Sequence, residues 1–223
     1  MNTPPLATLE IETGPTPTAS VIWLHGLGAD GHDFAPIVQE LHLPFPVRYI
    51  LPHAPVLPVT INGGYRMPAW YDIFSTDITA IEDEAGIRTS EAAIAQLIRQ
   101  ENARGIPTVR ILLAGFSQGG AIALHTGIRY PERLGGIIAL STYLPLHQAL
   151  DAERSIASAG IPIFMGHGND DDIVLPGHAR ASRDLLLSKG VPVAWHEYAM
   201  PHSVCTQEIA DIRRFMADTL GAD

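Results

Sequence analysis

The stretch Leu112–Leu124, LLAGFSQGGAIAL, decides the fold. An apolar run, Val109–Gly115, leads into Ser117. A helix of small and apolar residues, 118–130, leads out of it. Gly115, Gly119 and Gly120 surround the serine, and Gly127 lies further along. A serine before a helix is commonly only an N-cap. Here Gly115-Phe116-Ser117-Gln118-Gly119 reads G-x-S-x-G in a strand–turn–helix context, the setting of a nucleophile elbow. The flanking glycines remove Cβ atoms that would clash where strand and helix meet. The hydroxyl then stands at a helix N-terminus, where backbone N–H groups favour negative charge.

Working outward, short apolar runs alternate with helical patterns. Strands are expected at 7–13, 20–26, 47–52, 109–115, 135–141, 161–168 and 192–198. Helices are expected at 34–41, 86–104, 118–130, 177–189 and 204–220. Strand–helix alternation at this spacing predicts an α/β fold, a mostly parallel twisted sheet with helices on both faces. The length of 223 residues fits one domain over 1–223. Segment 52–85, rich in Pro and Gly, shows no clear period. It carries Trp70 and Tyr71 and is expected to be ordered.

Composition excludes several function classes. Net charge is −10 with no Lys/Arg cluster, which argues against nucleic acid or an anionic membrane as partner. No apolar run approaches the ~18 residues of a membrane span. The N-terminal stretch does not read as a signal peptide. Cys205 is the only cysteine, so no internal disulfide forms, and it reads as a small buried thiol. A cytoplasmic protein is the expectation.

A serine nucleophile needs a histidine base and a carboxylate to orient it, in the chain order Ser, Asp/Glu, His on this fold. Such groups lie beyond the carboxyl ends of parallel strands. Gly166-His167-Gly168-Asn169-Asp170-Asp171-Asp172 leaves one strand end, and three consecutive aspartates qualify. His202, in YAMPHSV, follows the last strand and precedes the last helix. His167 precedes the acids, His178 sits near a helix start and His196 lies within a strand, so each is a weaker base. The loop Leu24–Gly31, LHGLGADG, lacks the Lys-Ser/Thr ending of a phosphate loop. It reads instead as an oxyanion loop, with Leu27 N–H as one donor and Gln118 N–H as the other. Such donors are worth ~3 kcal/mol each. This chemistry calls for no cofactor and no metal.

Several motifs in order now point to a family. WLHGLGADGHDF, LPHAPVLPVTINGGYRMPAWYDI, EDEAGI, AGFSQGGAIAL, HGNDDDIV and MPHSVC together resemble the small bacterial carboxylesterases related to acyl-protein thioesterases and lysophospholipases, within the α/β-hydrolases. The pattern H-G-x-x-D-x-x-V, started at His167, implies Asp171 as the orienting acid, with Ser117 as nucleophile and His202 as base. Leu175 stands where the family often has proline directly after that valine. The resemblance implies hydrolysis of carboxylic esters of short- to medium-chain acids, with lipidated proteins or lysophospholipids as the alternative substrates. Leu27, Leu57, Trp70 and Tyr71 are the expected lining of an acyl groove. A catalytically silent binding module would ordinarily lack a triad member, and none is missing here. A homodimer is compatible with this reading.

Overall fold

The computed structural model describes residues 5–75 and 81–221. In chain order the elements are β1 (Thr8–Glu12), β2 (Ala19–Leu24), α1 (Ala35–Leu41), β3 (Val47–Pro52), β4 (Val56–Val59), β5 (Tyr65–Pro68) and α2 (Glu84–Ala103). They continue with β6 (Ile111–Phe116), α3 (Gln118–Arg129), β7 (Gly136–Leu140), α4 (Leu150–Glu153), β8 (Ile163–Gly168), α5 (Pro176–Ser188), β9 (Val193–Tyr198) and α6 (Thr206–Leu220). Seven strands form one sheet in the order β1-β3-β2-β6-β7-β8-β9. Only β1 runs antiparallel, as an edge strand on β3.

The sheet is sandwiched as the alternation predicts. On one face, Ile22, Leu24 and Leu113 pack with Ile87, Ile94 and Ile98 of α2 and with Ile122 and Leu124 of α3. On the other, Val21, Trp23, Leu112 and Leu140 pack with Val38 and Leu41 of α1 and with Ile212 and Met216 of α6. β2, β6, β7 and β8 are buried on both faces, which explains their unbroken apolar runs. Their register lines up the carboxyl ends. Leu24 pairs with Gly115, Phe116 with Leu140, and Leu140 with Gly166. The loops that follow Leu24, Phe116, Leu140 and Gly168 therefore leave the sheet side by side.

Three local differences from the sequence reading have physical causes. The run expected to open β6 at Val109 instead begins with a 3-10 turn over Thr108–Arg110, closed by Arg110 N–H donating to Pro107 O at 2.8 Å. Val109 is half exposed there, and pairing starts only at Ile111, opposite Ser20. Helix α2 starts at Glu84, because Asp83 caps it by accepting from Gly86 N–H at 3.0 Å. Within 52–85, β4 and β5 form a two-stranded hairpin pairing Val56 with Pro68 and Val59 with Tyr65. Pro58 and Pro68 mask this hairpin in the sequence, since proline usually argues against a strand. Residues 76–80 of that segment lie outside the described residues.

Because β6 carries the elbow, its core contacts bear directly on the site. Leu113, fully buried at the centre of β6, is the test position. Leu113→Ala is expected to cost about 2–5 kcal/mol through lost transfer energy and a residual cavity, read as a lower urea midpoint at unchanged m-value.

Candidate active site

Ser117 adopts φ 54° and ψ −122°, a sparsely allowed conformation for a residue with a side chain. Its neighbours hold it there. Ser117 N–H donates to Leu140 O at 2.8 Å, and Ser117 O accepts from Ala121 N–H at 3.1 Å and Thr142 Oγ1 at 2.7 Å. Glycine is required on both sides by close approach. A Cβ on Gly115 would collide with the Gly119 backbone, and one on Gly119 would collide with the Leu24 and His25 carbonyl oxygens.

The acid and the histidine meet where the loops after β8 and β9 touch. Asn169 N–H donates to Tyr198 O at 2.8 Å and Asp170 N–H to Met200 O at 3.2 Å. Among the three consecutive aspartates, Asp171 alone is buried; Asp170 and Asp172 are exposed. Asp171 Oδ1 accepts from Ile173 N–H at 3.0 Å and Val174 N–H at 2.9 Å. Its Oδ2 lies 2.7 Å from His202 Nδ1. Burial pushes the Asp171 carboxyl up. The hydrogen bonds from His202 and the Val174 N–H outweigh it and hold the group below its ordinary range. An ionised carboxylate only accepts, so His202 carries its proton on Nδ1. His167 is buried and its Nε2 lies 2.8 Å from Val174 O, so it braces the Asp171 loop rather than joining the serine. The Phe116 ring, with its centroid 4.6 Å from that of His202, packs against the imidazole.

One cavity of about 360 Å³ is lined by Ser117, Gln118, His202, Gly26 and Leu27 together with Ala29, Asp33, Tyr71, Ile73, Phe116, Tyr143, Ile173 and Val174. Ser117 and His202 face the same space, with no hydrogen bond joining Ser117 Oγ to His202. Among the described residues Leu27 N–H has no acceptor, whereas the next two amides are committed, Gly28 N–H to Pro68 O at 2.8 Å and Ala29 N–H to Gly26 O at 3.3 Å. Gln118 N–H is the first of α3, one of the four that a helix leaves without an internal partner.

His25 fixes the loop that carries Leu27. Its Nε2 accepts from Ala54 N–H at 3.1 Å, so its Nδ1–H donates to Gly26 O at 2.7 Å. Burial lowers its pKa and keeps the ring neutral, as that pair of bonds needs. Asp30 and His32 at the end of that loop and His53 just after β3 each bring a ligand-type atom within 4.8 Å of the others. These side chains serve the loop itself. His53 Nδ1 accepts from Gly31 N–H at 3.1 Å, and Asp30 Oδ1 accepts from His32 N–H at 2.7 Å.

Three expectations need correction. Trp70 does not line the cavity; it is 1% exposed, and its indole N–H donates to His25 O at 2.9 Å, pinning the oxyanion loop from behind. Leu57 lies in the β4–β5 hairpin, opposite Met67, and is also absent from the cavity wall. Cys205 is half-buried at the N-cap of α6 rather than enclosed, because a helix start at the surface leaves it one open side. Leu27 and Tyr71 do line the cavity.

The sequence reading missed the Gln118 side chain. It is buried, accepts from Trp70 N–H at 2.8 Å and donates through Nε2 to Tyr71 O at 2.7 Å. A polar residue just after the elbow serine, at a position too buried for solvent, was the available signal. Also missed was Glu208, fully buried in the first turn of α6 with both carboxyl oxygens unpartnered. It fits against β8 only because Gly166 has no side chain. Burial, then the nearby Asp211 charge, pushes its pKa up to about 8.

Gln118→Ala strands the Trp70 N–H and Tyr71 O in a dry interior. It is expected to cost about 1–3 kcal/mol per unpaired group, seen as a lower urea midpoint. Glu208 gives a pH-dependent expectation. Its carboxyl is neutral in the fold up to about 8 but ionises near 4.5 when unfolded, so the folded state binds the extra proton between those values. Stability from this group is therefore lost as pH rises through that window. Glu208→Gln should raise Tm at pH 9 by at least ~2 °C relative to the parent, with the difference shrinking towards pH 5; a difference flat with pH would contradict this.

Comparison with known proteins identifies the family. The model of the phospholipase/carboxylesterase family matches residues 7–220. Acyl-protein thioesterase 1 of Neurospora crassa is 43% identical over 214 residues, covering 91% of this chain and 87% of that protein. Acyl-protein thioesterase 1 of Cryptococcus neoformans is 39% identical over 230 residues, covering 95% and 97%. The crystal structure of Zea mays acyl-protein thioesterase 2 superposes with a TM-score of 0.86 at 30% identity, covering 96% of this chain and 99% of that one. These relatives are fungal and plant proteins, so the bacterial kinship expected from the motifs has no support in them. The Bacillus cereus carboxylesterase, at 18% identity and a TM-score of 0.75, shares the fold alone. The chain belongs to the phospholipase/carboxylesterase family of α/β-hydrolases and is a serine hydrolase of the esterase or thioesterase kind.

Proposed function

We propose that this chain is an acyl-protein thioesterase that cleaves acyl groups from lipidated proteins, with Ser117, His202 and Asp171 as its catalytic triad. The observation that carries the reading is the 2.7 Å contact between His202 Nδ1 and Asp171 Oδ2 beside a serine held at φ 54°. The substrate class is supported by the relatives named acyl-protein thioesterase, which match nearly the whole chain. The largely apolar walls of the cavity suit an acyl chain. The free thiol of Cys205 fits a cytoplasmic setting, and one catalytic domain over 1–223 fits the family match.

In this mechanism Ser117 Oγ attacks the acyl carbonyl carbon while His202 Nε2 takes the hydroxyl proton. Asp171 holds the Nδ1–H tautomer and balances the imidazolium charge. The Leu27 and Gln118 N–H groups, both without protein acceptors, hold the oxyanion of the tetrahedral intermediate. Collapse breaks the acyl–sulfur or acyl–oxygen bond, and His202 returns the proton to the departing thiol or alcohol. Water then attacks the acyl-serine, His202 taking its proton, and the free acid and serine are regenerated.

A second reading, a carboxylesterase for short- to medium-chain esters, is favoured by the modest cavity of about 360 Å³. Rates on a palmitoyl-cysteine peptide and on p-nitrophenyl butyrate separate the two. Appreciable hydrolysis of the peptide supports the thioesterase; activity confined to the soluble ester supports the carboxylesterase.

Ser117→Ala should lower kcat on either substrate by roughly 10³-fold or more. It should also abolish fluorophosphonate labelling. Near-normal turnover in that variant would sink the triad. Asp171→Asn should lose far more activity than Asp170→Asn or Asp172→Asn, whose parent carboxylates face solvent; equal losses across the three would remove Asp171 from its role.

A further inference from the structure

Next to the catalytic cavity lies a second pocket of about 150 Å³, lined by Tyr143, Leu144, His147, His178, Ala181, Ser182 and Leu185 and open to solvent beside the exposed His147 and Ala181. The two linings have one residue in common, Tyr143. Tyr143 is almost fully buried and stands where the two pockets adjoin. The ring is anchored at its far end, where its hydroxyl lies 3.1 Å from that of Tyr71, another cavity-lining residue. The backbone on the other side is fixed as well: Leu144 N–H donates to Ser182 Oγ at 2.9 Å, and that hydroxyl donates to His178 O at 2.8 Å in α5.

We infer that Tyr143 sets the enzyme's preference among acyl chain lengths, as a restriction between the catalytic cavity and the second pocket that long chains pass more slowly than short ones. The inference rests on the ester or thioester hydrolase reading of Ser117. An acyl chain bound at that serine runs along Ile73, Ile173 and Val174 and meets the Tyr71–Tyr143 pair. Going further requires displacing a buried ring and separating two hydroxyls that partner each other in an apolar setting, and each is costly. Removing the ring opens a way between the two pockets and takes away no hydrogen bond of Ser117, Gln118 or His202. The walls beyond it, Leu144, Ala181 and Leu185, are apolar and suit further methylenes. Of the polar residues in this wall, His147 is exposed, and the buried Ser182 hydroxyl is already committed to Leu144 N–H and His178 O.

The test is a p-nitrophenyl ester series from two to sixteen carbons, with active sites titrated by fluorophosphonate. The readout is the ratio of kcat/KM on dodecanoate to that on butyrate within each variant, so losses of folded protein cancel. Tyr143→Ala should raise the ratio about tenfold or more. Tyr143→Phe keeps the ring and should leave the ratio within twofold of the parent. Adding Ala181→Phe to Tyr143→Ala refills the second pocket and should cancel the gain. If Tyr143→Ala does not fold, Tyr143→Val carries the same expectation. A ratio within twofold of the parent in the folded, titratable short-side-chain variant overturns the inference while leaving the hydrolase reading intact. A parent protein that neither labels nor hydrolyses any ester overturns both.

Discussion

The site depends on one backbone constraint, the left-handed conformation of Ser117 at φ 54°. That conformation costs on the order of 1–3 kcal/mol and persists only where the surroundings over-determine it. Here three hydrogen bonds and two glycine contacts do so. The β6–α3 turn must be sharp enough to present the hydroxyl, so the first turn of α3 lies almost on the end of β2. That is why Gly119 sits against the Leu24 and His25 carbonyls. The same closeness brings the amide of Gln118 beside the loop carrying Leu27. Ser117 and the candidate oxyanion donors are thus consequences of a single tight junction rather than separately placed parts.

Asp171 and His202 are placed by a different device. β8 and β9 are adjacent parallel strands, and the loops after them are tied by backbone hydrogen bonds from Asn169 and Asp170 to Tyr198 and Met200. The Asp171 side chain then closes its own turn through the Ile173 and Val174 amides and leaves one oxygen for His202. A carboxylate committed to three donors cannot swing away, so the imidazole it holds is fixed in tautomer and direction. Buried Glu208 lies under the same corner without partners. It persists there as a neutral acid, tolerated because ionisation is deferred to higher pH.

What was legible in the sequence divides along these lines. Strand and helix alternation, the elbow and the order Ser, Asp, His are local or periodic features, and the sheet formed from them matches closely. The choice among Asp170, Asp171 and Asp172 was not local: three identical residues differ only in which one faces the interior. It came from the pattern H-G-x-x-D-x-x-V, and the fold explains that pattern through the Asx-type turn onto Val174. Segment 52–85 was illegible for the opposite reason. Its prolines obscure the hairpin, and its Trp70, read as a substrate contact because aromatics near a site often are, is buried behind the loop instead. Nothing in spacing distinguishes an aromatic that faces a cavity from one that props its wall.

That distinction matters most at Gln118. Its amide nitrogen faces the cavity while its side chain reaches the other way, holding the backbone of Trp70 and Tyr71. Trp70 in turn bonds His25 O, and His25 bonds Gly26 O and Ala54 N–H. These contacts form a continuous chain linking the β6–α3 turn, the 69–71 segment and the Leu24–Gly31 loop. Every member is a buried polar group that would be expensive unpaired. Relaxing one connection therefore disturbs the other two loops as well. A loop-built site gains rigidity this way without lying on a strand or helix, because the loops are hydrogen-bonded to one another as closely as strands are. Tyr143 stands at the edge of the same chain of contacts, since Tyr71 offers its carbonyl to Gln118 and its hydroxyl to Tyr143. Tyr143, Tyr71 and Gln118 are thus joined in one run of hydrogen bonds from the cavity wall to the first residue of α3.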